Sequence, residues 1–157
     1  MAARSIHQWF ADYGVSHQNP TNKAVHWVCV PVIYFCVVGF LWSIPTPEVA
    51  PLTGRHVWAM LGVALVSIFY MRLSLGIMIG MAIWSILCLF VCRYVELHAT
   101  WPLWAICVAL FVAAWIGQFI GHKIEGKKPS FLHDVQFLII GPAWLMGFIY
   151  RKLGIPY

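Results

Sequence analysis

Apolar residues fall into five long runs along the chain, separated by breaks that are polar, charged or rich in turn formers. Crossing the hydrocarbon of a bilayer takes about 20 helical residues, with a range of about 17 to 25. On that scale the runs cover roughly residues 25–44, 56–71, 74–92, 101–121 and 135–150. The stretch "PTPEVAPLTGRH" is a Pro-rich connection, "RLS" a tight hinge, and "RYVELHAT" carries charge, while "GHKIEGKKPSFLHD" is the hydrophilic loop. The second and fifth runs are short for complete crossings, and Gly141-Pro142 interrupts the fifth, so each is open to tilting, kinking or partial insertion. Ahead of the first run, Ile6, Trp9, Phe10 and Tyr13 recur at helical spacing and predict a short amphipathic helix in the membrane interface. The expected fold is therefore all-α: a polytopic membrane helix bundle of about five apolar segments with a short N-terminal interfacial helix, forming one integral membrane domain over residues 1–157.

Composition sharpens this picture. Hydrophobic residues make up 62% of the chain and charged residues 10%, against about half and about a quarter in soluble domains. The length of 157 residues allows a single domain. Arg4 and Ser5 lead into His7, Trp9, Asp12 and Tyr13, not into the short apolar core of a cleavable signal, so the first run is expected to stay in the mature protein. The five cysteines (Cys29, Cys36, Cys88, Cys92 and Cys107) lie inside apolar runs without a CxxC pair, and read as small apolar filler. The net charge of +5 is scattered over short connections, which suits basic membrane loops and gives no stripe for nucleic acid.

Loop charge also gives sides. If every run spans, Arg4, Lys23, Arg72, Lys123, Lys127 and Lys128 share one face, and Arg55, Arg93, Arg151 and Lys152 the other. This bias favours a cytoplasmic N-terminus and active-site face, in an inner membrane if bacterial and the endoplasmic reticulum if eukaryotic. An even number of crossings then separates the N-terminal segment from the loop at 122–134, which puts His7, His17, His26, His122 and His133 on one face. His56 and His98 fall on the other, as interfacial residues.

The stretch "HQNPTNKAVH" now becomes informative. Asn19 reads as a helix cap and Pro20 as a first helical residue, which leaves Asn22 and His26 one turn apart on a single face. On one straight helix His17 and His26 would stand about 13 Å apart, too far to share an ion; with the helix starting at Pro20, His17 can fold back beside His26. Farther on, Gln118, His122 and Glu125 occupy one stripe, Glu125 as a ligand or as an acceptor that orients a ligating imidazole. His133 follows the basic Lys127-Lys128-Pro129 turn. Ionisable groups within membrane segments are costly and mark function, so these residues read as a metal site, and imidazole with carboxylate suits iron(II), manganese or zinc. Lys123, Lys127 and Lys128 are placed to draw an anionic head group. Gly76 and Gly80 form a GxxxG pair, able to pack helices within the chain or to join a homodimer.

The two polar blocks form a recognisable pattern. "YGVSHQNPTNKAVHWVCVP" and "QFIGHKIEGKKPS" together resemble the signature of the small membrane 2-hydroxy fatty acid dioxygenases of yeast and bacteria. The resemblance implies an iron(II) enzyme of fatty acid α-oxidation, converting a long-chain 2-hydroxy fatty acid and dioxygen to the acid one carbon shorter and carbon dioxide. It matches His17, His26 and His122 to the family's histidines, Tyr13, Asn19 and Asn22 to their polar neighbours, and Glu125 to its glutamate. His133 falls outside the pattern and stays an additional candidate ligand. Glu125, Asn22 and Tyr13 are then the candidate catalytic groups, with Asn19, Lys123, Lys127 and Gln118 at the substrate head. Two other classes fit the bare residues: a zinc-dependent membrane lipid hydrolase, and a non-enzymatic lipid-binding membrane protein with interfacial histidines.

Overall fold

A computed structural model describes residues 4–46, 56–128 and 136–157. These residues form six helices and no strand: α1 (Ile6–Gly14), α2 (Pro20–Ser43), α3 (Val57–Leu73), α4 (Leu75–His98), α5 (Leu103–Glu125) and α6 (Phe137–Leu153). Local chemistry sets the boundaries. Ser5 and Gln8 close a capping box at the start of α1, satisfying backbone donors that a helix start leaves orphaned. The Asn19 Oδ1 accepts from the backbone N–H of Thr21 at 2.8 Å and Pro20 opens α2. Ser74 ends α3 and caps α4 through the Ile77 N–H, which makes the tight hinge. Gly126 ends α5 at φ +72°, backbone that a residue without Cβ adopts at no steric cost.

α2, α4 and α5 are each long and apolar enough to cross a membrane, and α3 is a shorter apolar helix. They bear large side chains on their outer faces, such as Phe90 at 70% exposure and Ile116 at 56%, as lipid-facing helices do. α2 and α5 form the most extensive pairing. Small residues allow it: a Cβ on Gly117 would come 2.8 Å from Cys29 Sγ, and one on Gly121 2.5 Å from Asn22 Oδ1. Cys36, Cys88, Cys92 and Cys107 are buried free thiols in a cluster with Val38 and Trp42, in keeping with the filler role expected of them.

One open question closes and one expectation changes. The fifth run, open to tilting, kinking or partial insertion, does not lie alongside the others as another crossing. Tyr70 donates to the carbonyl of Ile139 near the start of α6, and Tyr150 near its end donates to the carbonyl of Gly76. Both partners sit at the same end of the α3–α4 hairpin, so α6 lies across that end of the bundle. It also takes up the apolar face of α1: Trp9 meets Phe137 at 5.4 Å and Tyr13 meets Trp144 at 5.3 Å. The homodimer through Gly76 and Gly80 is likewise not supported. A Cβ on Gly80 would strike Tyr150 and Met146, and one on Gly76 would strike Pro156 and Tyr157, so this glycine pair receives α6 and the C-terminus of the same chain.

Candidate metal centre

The cap that starts α2 also makes the site. With Asn19 and Pro20 turning the chain, residue 17 comes before the helix and folds back against residue 26, and Nε2 of His17 lies 2.9 Å from Nε2 of His26. On each ring the other nitrogen is committed. Nδ1–H of His17 donates to the Tyr13 carbonyl at 2.6 Å, and Nδ1–H of His26 to the Asn22 carbonyl at 2.9 Å. A carbonyl only accepts, so each Nδ1 carries its proton and each neutral ring presents a bare lone pair at Nε2. α5 brings the third ring, with centroids 5.0 Å from both His17 and His26. One nitrogen from each of the three lies within 4.8 Å of the others, and all three rings are buried.

This arrangement fits a metal ion. Two lone pairs facing each other at 2.9 Å repel unless a cation lies between them. Two nitrogens about 2.1 Å from one ion, at right angles, stand about 3.0 Å apart. Backbone carbonyls holding the far N–H of both rings are what ligating histidines require to fix tautomer and orientation. Nδ1 of His122 is buried with no hydrogen-bond partner, a cost that an unfilled role would explain. Burial pushes the His17 imidazole down to about 4, which keeps it neutral and able to ligate. The same cause raises the phenol of Tyr13 above its ordinary range; Tyr13 stacks on His17 with centroids 4.1 Å apart.

Glu125 sits differently from expectation. Its carboxylate accepts from the backbone N–H of Gln18 and of Asn19, each at 2.8 Å, and from the Asn22 amide at 3.1 Å. It touches neither the second nitrogen of His122 nor the three-ring cluster, and instead ties the end of α5 to the turn that carries His17. Asn22, fully buried, extends the tie through its amide to the Ser16 carbonyl at 3.2 Å. Lys127 donates to the Val15 carbonyl at 2.8 Å and so pins the same turn, while Lys123 is exposed. Gln118 is buried one turn before His122. His133 lies outside the described residues. His56 and His98 are remote as expected: His56 stacks on Trp42 and faces Glu96 at 3.5 Å, at the other end of α2. The Gly117/Gly121 pair was the overlooked contributor; its four-residue spacing of small residues is the signal that could have revealed the close approach of α2 and α5.

A cavity of about 410 Å³ opens from the imidazoles, within the range of ligand sites. Tyr13 and Gln118 line its polar end, and the rest is walled by aliphatic and aromatic side chains such as Val30, Ile33, Val66 and Trp115. A polar head at the imidazoles with an apolar tail beyond it is the shape this space takes.

Comparison with known proteins agrees with that shape. Residues 3–153 match the family described as 2-hydroxy-palmitic acid dioxygenase Mpo1-like. The chain is 32% identical over 146 residues to the 2-hydroxy-palmitic acid dioxygenase MPO1 of Saccharomyces cerevisiae, covering 90% of this chain and 78% of that protein. No solved structure is significantly similar. With its paired polar blocks, buried imidazoles and apolar cavity, the chain belongs to the Mpo1-like family.

Proposed function

We propose that the protein is an iron(II)-dependent dioxygenase that shortens long-chain 2-hydroxy fatty acids by one carbon. The observation that carries this reading is the pair of bare nitrogens on His17 and His26, facing each other beside His122 at the head of an apolar cavity. One 2-hydroxy acid and one dioxygen give the shorter acid, carbon dioxide and water. The C1–C2 bond breaks, the substrate supplies all four electrons, and no separate reductant is needed.

His17, His26 and His122 would hold the ion with one nitrogen each. Bound there, iron would supply a redox centre able to bring a 2-hydroxy acid and dioxygen together. The chain's own residues do the rest. The Tyr13 and Asn22 carbonyls fix the ring orientations, Glu125 acts as a positioning residue for the His17 turn, and Gln118 meets the substrate head. The apolar walls hold the tail and exclude water from the reacting carbons.

The test is anaerobic purification in mild detergent, elemental analysis, and oxygen uptake with a long-chain 2-hydroxy acid. About one iron per chain and substrate-dependent uptake are expected, with uptake lowered about a hundredfold or more in His122→Ala, beyond the roughly 10- to 100-fold typical of losing a supporting partner. Zinc in place of iron, with ester hydrolysis in the absence of oxygen, would point to a hydrolase; uptake unaffected in His122→Ala would refute the assignment.

A further inference from the structure

Along α2, Val30, Ile33, Tyr34, Val37, Val38 and Leu41 recur at spacings of three and four residues, and all six line the cavity. This is one face of one helix, so the apolar part of the cavity follows α2 away from His26. α3 contributes Val63 and Val66 to the opposite wall, and α5 contributes Phe111 and Trp115. At the far end of this face two lining residues fit each other. Cδ1 of Leu41 occupies the space a side chain on Gly62 would take: a Cβ there would lie 2.6 Å from it. From His26 to Leu41 the helix rises about 22 Å at about 1.5 Å per residue. An extended alkyl chain advances about 1.25 Å per carbon, from a C–C bond of about 1.5 Å. The channel is therefore matched to a tail of roughly eighteen carbons.

We propose that Leu41 and Gly62 form the floor of the acyl channel and set the longest saturated tail the protein binds in full. The inference rests on the reading that a 2-hydroxy acid lies with its head at the histidines. Its physical content is a lever at the floor, remote from the chemistry. Trimming Leu41 opens room below the last bound methylene. Adding a methyl group to Gly62 makes Leu41 shift, because the obstructing atom is the end of a flexible side chain that lines the channel, and a shift into the channel shortens it.

The experiment uses the iron-loaded full chain with a graded series of saturated 2-hydroxy acids. Binding is measured anaerobically by thermal stabilisation and titration, and oxygen uptake is followed separately in air. In Leu41→Ala the preferred length should rise by about two carbons, each methylene newly accommodated tightening binding roughly fourfold. In Gly62→Ala it should fall by about one or two carbons. Iron content equal to wild type in both variants shows that the histidine end is intact; should Gly62→Ala fail to fold, Leu41→Ala alone decides. Length profiles that coincide with wild type, or a wild type with no length preference, overturn the proposal even if oxygen is consumed. Profiles that shift as described without any oxygen uptake leave the channel floor standing and remove the dioxygenase reading instead.

Discussion

His17 and His26 each spend one ring nitrogen on a carbonyl of the preceding turn, of α1 and α2 respectively, so the tautomer of both is settled by the backbone. Burial lowers the His17 pKa from 6.5 to about 4. A base whose pKa falls on folding binds fewer protons folded than unfolded between those two values, and there stability rises with pH. For metal-free protein this share of stability is present in full above about pH 6.5 and is lost as pH falls towards 4. Thermal unfolding of the metal-free chain across that window should show the slope, and His17→Gln should make it shallower. Glu125 makes its contribution at one remove. In Glu125→Gln one carboxylate oxygen becomes an amide that faces N–H donors, so the His17 turn loosens and iron affinity should fall about 10- to 100-fold, measured by titration with chelator competition. Affinity equal to wild type would show that the carboxylate serves only the fold.

At the scale of elements, the polar blocks announced much of what the helices do. Asn19 and Pro20 marked the start of α2, and that start alone explains how His17 reaches His26. The even number of passes between His17 and His122 followed from the order of apolar runs. Hydropathy drew the ends of α2 and α5 too short, because Thr21, Asn22, Lys123 and Glu125 are polar yet helical, carrying the helices past the apolar run to the site. It also could not tell a helix that crosses a bundle's length from one that lies across its end, since α6 is apolar in either placement and only Tyr70 and Tyr150 reveal which. Nor does a polarity profile show which main-chain donors a carboxylate will find, as with Glu125. The α2–α5 approach yields a sharp expectation. Gly121→Ala places a methyl group against the buried Asn22 amide, forces the helices apart, and should cost about 1–3 kcal/mol. Because Asn22 and His122 flank the contact, the variant should also lose iron, seen as a lower unfolding temperature together with a reduced metal content.

For the whole molecule, the centre joins three parts of the chain that lie far apart in sequence. α1 and its turn bring His17, α2 brings His26 and α5 brings His122, with α6 closing over them through Trp144, 5.5 Å from His17. An ion held by all three stabilises the folded state by mass action, about 4 kcal/mol when free metal exceeds its dissociation constant a thousandfold. A chelator should therefore lower the unfolding temperature of the wild type and leave that of His122→Ala nearly unchanged, in the same detergent. Equal shifts in the two proteins would place the stabilising ion elsewhere.

Glu125 reaches back more than a hundred positions to meet Gln18 and Asn19, and this span dictates an order of events during biogenesis. The ribosome delivers the first two imidazoles early, each oriented by a nearby carbonyl, yet the tie from Glu125 to the turn that carries His17 cannot form until α5 has been made. On the proposed reading, tight capture of an ion therefore follows the insertion of α5, which brings both His122 and the carboxylate that ties the turn.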